Sequence, residues 1–305
     1  MPQSLFEAKK SVSEPMLANL IEALYLEEFF FLTFPIRSGV TAGVWPYSVE
    51  KTLPGIAFRK INEAFGEAVG VVQRPVETLK PFGTDSDTDK FIAKATPTRR
   101  ATNDRMTMKA MGVKWIQTIL YGNSPSSRAG VPFNDVDGFD GFMKRFTDAG
   151  GTQIIDNGAS SGSDGSSVFG LRFGEGWIEG LMQDEGTGFT ITNFGEIQAK
   201  PVMRTRIDAA GGMAVYHGMA GAWLKDITVG TAISIDKLDE MIDKIAGRPD
   251  ILLMSKRTRT QLRKVCRTLG ITLNKELNEV GKVMELYGDI RIVTSDAMTD
   301  AETVS

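Results

Sequence analysis

Apolar positions along the chain change spacing several times, and each spacing predicts its own kind of element. In residues 13–28, SEPMLANLIEALYLEE, Ser13 is a candidate N-cap, Pro15 stands in the first turn, and Met16, Leu17, Leu20, Ile21 and Leu24 recur at helical intervals. An amphipathic helix is predicted there. The aromatic cluster Phe29, Phe30, Phe31 and Phe34 follows it, open to burial in the chain's own core or against another subunit. Residues 36–80 alternate instead: two extended segments, IRSGVTAGVWPYSVE and AVGVVQRPVETLK, flank the connector KTLPGIAFRKINEAFGE with its Pro54-Gly55 turn signal. Few of these positions are strongly apolar. A two-stranded ribbon of that length is marginal alone and has to lie on something, either this chain's body or a neighbour.

From Thr98 to Tyr121 the spacing is helical again, with Ala101, Met108, Met111, Trp115, Ile119 and Leu120 in one stripe and Gly122-Asn123 as the stop. Such a helix is a rod roughly 36 Å long at 1.5 Å per residue, and Arg99, Arg100, Arg105, Lys109 and Lys114 mark its solvated side. Residues 123–168 read as loop, followed by alternating segments at 167–173, 187–194, 199–208 and 213–229 that predict antiparallel strands. The last quarter differs. DKLDEMIDKIAG aligns Leu238, Met241, Ile242 and Ile245 on one helix face, ILLM is a buried strand, SKRTRTQLRKVCRTLG is a helix between Ser255 and Gly270, a further helix is expected near 275–286, and IRIV closes with a strand. That order predicts a small α/β layer attached to a β-rich middle, an α+β protein overall.

Composition narrows the function classes. With 305 residues, 42% hydrophobic and 24% charged, the chain has the make-up of a folded soluble protein, and its one cysteine, Cys266, predicts a reducing compartment without disulfides. MPQSLFEAKK lacks the features of a signal peptide. The apolar run Phe29–Pro35 falls far short of the roughly 20 residues that span a bilayer, so no membrane role is expected. A formal charge of −3 gives no global drive toward nucleic acid, whose contacts should be weak and non-specific.

Each chemical motif weakens on inspection. Gly174-x-Gly176-x-x-x-Gly180 imitates a phosphate loop, but no helix is predicted after it to receive a pyrophosphate, and the glycines suit sheet turns. Gly158-Ala-Ser-Ser-Gly162 imitates a nucleophile elbow, yet SDGSS follows, and the single histidine, His217, lies in the apolar stretch MAVYHGMAGAW. Asp85-x-Asp87-x-Asp89 opens like a calcium loop, but Lys90 replaces the required glycine and Thr96 the bidentate acid. No catalytic residue, metal site or cofactor is expected. Lys256, Arg257, Arg259, Arg263, Lys264 and Arg267 put six positive charges on one short helix, either a solvated face or a footing for phosphates or an acidic neighbour.

The runs EKTLPGIAFRKINEAFGE, TDSDTDKFIAK, LYGNS, PFNDVDGFDGF, GSSVFGLRFGEG, AGAWLKDI and DAMTDAETVS, taken in order, resemble the major capsid proteins of short-tailed double-stranded DNA phages. The resemblance implies a Hong Kong 97-type capsid fold: an N-terminal arm at 1–35, an extended loop at 36–80, a peripheral domain with spine helix at 81–133, an axial domain with the remaining β-rich part at 134–290, and a C-terminal segment at 291–305. It implies a structural shell protein of hexamers and pentamers around phage DNA in the virion, assembled in the host cytoplasm. The implied partners are a separate scaffolding protein, a portal protein and a decoration or cement protein. An encapsulin-like nanocompartment is the alternative on the same fold. Inter-subunit contacts are expected at Phe30, Phe31, Phe34, Trp45, Lys51, Arg59 and Lys60, and electrostatic ones at Lys256, Arg257, Arg259 and Arg263. Some relatives cross-link a loop lysine; nothing beside Lys51 or Lys60 marks an activating acid, so non-covalent packing is expected.

Overall fold

The computed structural model describes residues 18–22, 24, 29–40, 43–52, 54–61, 63–64, 66, 68–123, 137–148, 150–183, 189–196, 201–277 and 281–304, with Ser4, Glu7, Lys9 and Lys10. Two sheets and one long helix make up its body. Along the chain the strands are β1 (Ile36–Arg37), β2 (Val44–Pro46), β3 (Val49–Thr52), β4 (Val71–Gln73), β5 (Val76–Thr78), β6 (Lys80–Asp89), β7 (Ile154–Asp156) and β8 (Ser166–Leu171). They continue with β9 (Ile178–Met182), β10 (Phe189–Glu196), β11 (Val202–Val215), β12 (Gly221–Ile227), β13 (Ile251–Met254), β14 (Asn274–Leu277), β15 (Val283–Tyr287) and β16 (Ile290–Thr294).

The first sheet is built around β11, whose 14 residues pair with β10 and β6 along the first part and with β9 at the end. Across this sheet lies the helix Pro97–Tyr121, 25 residues long, as its apolar spacing predicts. Met108, Met111, Trp115, Ile116, Ile119 and Leu120 are buried, whereas Ala101 is exposed, because the first turns of the rod run out past the core. After the rod, Asn123 takes a left-handed conformation at φ 50°, which asparagine tolerates better than most side chains.

Phe30, Phe31 and Phe34 are each 0% exposed, which corrects their expected role as inter-subunit contacts. Trp115 decides the matter: the rings of Phe31 and Phe34 lie 5.3 and 6.3 Å from its own, and Phe82 and Phe189 close on it from the sheet at 6.0 Å. Gly180 in β9 gives Phe34 its place, since a Cβ there would stand 2.6 Å from the ring. Of the helix expected at 13–28, residues 18–22 and 24 are described and helical, with Leu20, Ile21 and Leu24 buried; the remaining positions lie outside the described residues.

The second sheet runs β14-β15-β16-β13-β8-β12-β7. ILLM is apolar at every position because it is an inner strand covered on both faces. Leu252 and Met254 face the helices Ile235–Asp243 and Lys256–Thr268, while Ile251 and Leu253 join the core shared with Trp115. Ser234 and Ser255 cap those two helices, and Cys266 is buried, as its apolar position predicts, with burial raising its thiol pKa.

Several expectations are corrected here. The helix expected near 275–286 is the hairpin β14–β15; Gly281 adopts φ 74° after β14, and Met284 alone of its strand is buried. The stretch 213–229 is not one strand: a turn at 216–220 sends β11 and β12 into different sheets, and His217 sits in that turn with its ring 5.0 Å from that of Trp177. Within 123–168 the structure adds a helix, Phe142–Asp148, and strand β7. Gly174 and Gly176, at φ 115° and 81°, form the turn between β8 and β9, where a helix would have been needed for a phosphate loop.

Candidate assembly surface

Strands β2 to β5 form the ribbon that the alternation of residues 36–80 predicts. β2 pairs antiparallel with β5 (Trp45 opposite Glu77), and β3 with β4. The root of the ribbon is clamped to the body by two groups of side chains. In one, Arg145 from the helix Phe142–Asp148 donates two hydrogen bonds to the carboxylate of Glu77 at 2.7 and 2.9 Å, and the Tyr47 hydroxyl donates a third at 3.0 Å. Burial, with the Glu77 charge beside it, pushes the Tyr47 hydroxyl up to a pKa of about 12. In the other, Arg37 Nε donates to the fully buried Glu179 at 2.9 Å, its hydrogen bond to Glu179 being the main cause of a raised Arg37 pKa. Tyr216 donates to the same carboxylate, and the Trp45 indole donates to Tyr216 at 3.0 Å. Trp45 is therefore half-buried against its own body.

Beyond the root the ribbon leaves the core. Ile56, Phe58 and Ile61 at its far end are 97%, 107% and 92% exposed, and Val69, Val71, Val72 and Val76 are exposed along its strands. Scattered exposed apolar residues are ordinary, but a contiguous set on an outlying limb marks an interaction surface. Arg59 and Lys60 lie at this end, where Arg59 donates to the Glu63 carbonyl at 2.8 Å and the Lys60 amide to the Glu63 carboxylate at 3.3 Å. Lys51 is in β3, and its side chain lies outside the described residues.

The basic helix is a second point of correction. Lys256 is paired with Asp296, Arg257 with Asp300, and Arg259 and Arg263 both with Glu285. All four residues expected to make electrostatic contacts to partners thus have acids of their own chain beside them. Those acids lie downstream, at β15 and after β16, where sheet register brings them together. The aspartates of TDSDTD have partners too: Asp85 and Asp87 form a charged ladder with Arg206 and Arg204 of β11, and Asp89 caps the helix Lys90–Ala95.

Sequence reasoning missed the clamps entirely. Glu77 and Arg145 are 68 residues apart, Arg37 and Glu179 are 142 apart, and no local pattern links either pair. No described helix is long and apolar enough to cross a membrane.

Comparison with known proteins agrees with this architecture. The family described as "Major capsid protein GP7" matches residues 17–304. No curated protein matches the chain. Among solved structures, that of bacteriophage Epsilon15 superimposes with a TM-score of 0.59 at 14% identity, covering 89% of this chain and 87% of that one. The bacteriophage JBD30 capsid gives 0.50 at 10% identity, with 90% of each chain covered. An encapsulin of Synechococcus elongatus reaches only 0.40 at 14% identity, covering 66% of this chain and 88% of that one. The shared α+β architecture is the Hong Kong 97-type capsid fold, and by a match spanning nearly all its length this chain belongs to the major capsid protein GP7 family, whose members build the viral shell.

Proposed function

We propose that the chain assembles into hexamers and pentamers of an icosahedral phage head around double-stranded DNA, and that the ribbon at 36–80 finds its burial partner on an adjacent copy. The observation that carries this reading is the set Ile56, Phe58 and Ile61, held away from the chain's own core while the ribbon root is fixed by Arg145, Glu77, Arg37 and Glu179. A rigid root with an unburied apolar end suits a limb whose complement is another molecule. Burying three such side chains is worth roughly 1.5–3 kcal/mol each, before the entropy of association is subtracted.

On this reading the arm is 1–35, the extended loop 36–80 and the peripheral domain with its spine helix 81–133. Residues 134–290 form the axial domain with the remaining β-rich part, and 291–305 the C-terminal segment. A separate scaffolding protein, a portal protein and a decoration or cement protein are the expected partners during and after assembly in the host cytoplasm. DNA contact is non-specific, since Lys256, Arg257, Arg259 and Arg263 already have intramolecular acids.

The test shortens the ribbon without touching its root, by replacing residues 53–70 with an Asn-Gly turn between Thr52 and Val71, which face each other across the ladder. Expected is a folded, soluble subunit that forms no closed particles under negative stain. Normal particles from this variant would overturn the reading.

A further inference from the structure

The second sheet has two chemically different ends. At its β14 end, the C-terminal part of the helix Lys256–Thr268 and the edge strand carry Lys264, Arg267 and Lys275, all exposed. Among the described residues none of the three has a side-chain ion pair, whereas Glu276 and Glu285 beside them are taken by Arg291 and by Arg259 with Arg263. Leu269, Ile271 and Leu277 are exposed around these cations, beside a groove of about 560 Å³ lined by Arg267, Ile271, Leu273 and Lys275. The outer backbone edge of β14 has no strand on it among the described residues.

At the other end lies β7, with the helix Ile235–Asp243 packed on β7 and β12. Its acids are Asp236, Asp239, Glu240 and Asp243. Asp239 accepts from Tyr287, and Glu240 is paired with Lys237. Asp236 and Asp243, seven residues apart and so on one side of the helix, are exposed and have no ion pair among the described residues. Seven strands at about 4.8 Å spacing put the two ends roughly 29 Å apart.

We infer that these ends are the two halves of one head-to-tail contact between copies of this chain, in which Lys264, Arg267 and Lys275 of one subunit dock on Asp236 and Asp243 of the next. Neither end suits a two-fold contact with itself, because like charges would meet. A basic end on an acidic end is heterologous, and repeated heterologous contacts close into rings when the rotation permits. Opposed charge sets register and encounter rate, while Leu269, Ile271 and Leu277 supply apolar area. The inference deepens the shell-building reading and rests on it, naming the surface through which ring neighbours recognise each other.

Full-length chain is tested in three forms: Lys264→Glu/Arg267→Glu/Lys275→Glu, Asp236→Lys/Asp243→Lys, and both sets combined. Circular dichroism melts check folding, and the neutralising set Lys264→Gln/Arg267→Gln/Lys275→Gln serves if a reversal fails to fold. Ring and particle yields are read by sedimentation velocity and negative stain at about 0.1 M salt, where the Debye length is about 10 Å. Each one-sided reversal should lower the yield at least tenfold. The combined variant, and a one-to-one mixture of the two one-sided variants, should recover most of it. One-sided reversals that assemble like the parent, or a combination no better than either, overturn the inference, as does a basic-end reversal that assembles normally and loses only packaged DNA. Those results leave the shell reading standing, which fails separately if the parent chain forms no particles.

Discussion

The clamp between Arg145 and Glu77 gives the sharpest test of how the ribbon is held. Both side chains are mostly buried, 18% and 17% exposed, and their two hydrogen bonds at 2.7 and 2.9 Å are parallel and charge-assisted. Arg145→Met leaves the Glu77 carboxylate in place with the Tyr47 hydroxyl as its remaining described donor. Removing one partner of a buried pair costs about 3–5 kcal/mol, and partial exposure here lowers the expectation to about 2–3 kcal/mol. Arg145 also donates to the Asp140 carbonyl at 2.8 Å, so part of the loss is independent of Glu77, and the pair has to be isolated by a double-mutant cycle. Urea unfolding of the unassembled subunit at pH 7, with Glu77→Gln as the second single variant, should give a coupling of about 1–2 kcal/mol. Limited proteolysis of Arg145→Met should cut within residues 41–75 sooner than in the parent. Strictly additive losses, or an Arg145→Met loss under about 0.5 kcal/mol, would refute the claim that this pair anchors the ribbon.

Tyr47 should make stability fall in alkali. Its hydroxyl titrates near 12 when folded and near 10 when unfolded, so the contribution is complete below pH 10 and is lost as pH rises toward 12. Tyr47→Phe should flatten that limb in chemical melts at pH 9, 10 and 11; an unchanged slope counts against the assignment. Gly180→Ala brings a Cβ within 2.6 Å of the Phe34 ring in a packed aromatic core and should cost about 1–3 kcal/mol in thermal unfolding. Ile56→Ser with Phe58→Ser and Ile61→Ser should leave the melting temperature of the free subunit unchanged, since these side chains are solvent-exposed there, yet abolish particles under negative stain. A variant that melts early would place these residues in the subunit's own core after all.

What the sequence disclosed follows from the range of the forces involved. The rod Pro97–Tyr121 and the cap-to-glycine helix after Ser255 depend on spacing and capping within a few residues, and they are legible. The hairpin β14–β15 was not. NKELNEVGKVMELYG offers apolar residues at helical intervals and at alternate positions alike, and only Met284, buried beneath β15, shows which spacing the core uses. Charge was harder still. Asp85 and Asp87 read as a failed calcium loop until β11 sets Arg206 and Arg204 opposite them, and the cations after Ser255 read as a footing for partners until β15 delivers Glu285.

The same reasoning separates two apolar groups that look alike in one dimension. Phe30, Phe31 and Phe34 are denser in aromatic residues than Ile56, Phe58 and Ile61, and by composition alone they are the better candidates for a surface that seeks a partner. Trp115 removes them by offering a complementary wall from within the chain. Nothing comparable can reach the ribbon end, because Arg145 and Arg37 hold its root at the body's edge and the paired strands carry the rest outward. An apolar set becomes an interface when the fold denies it an internal neighbour, and here that denial rests on two buried ion pairs joining residues 68 and 142 positions apart.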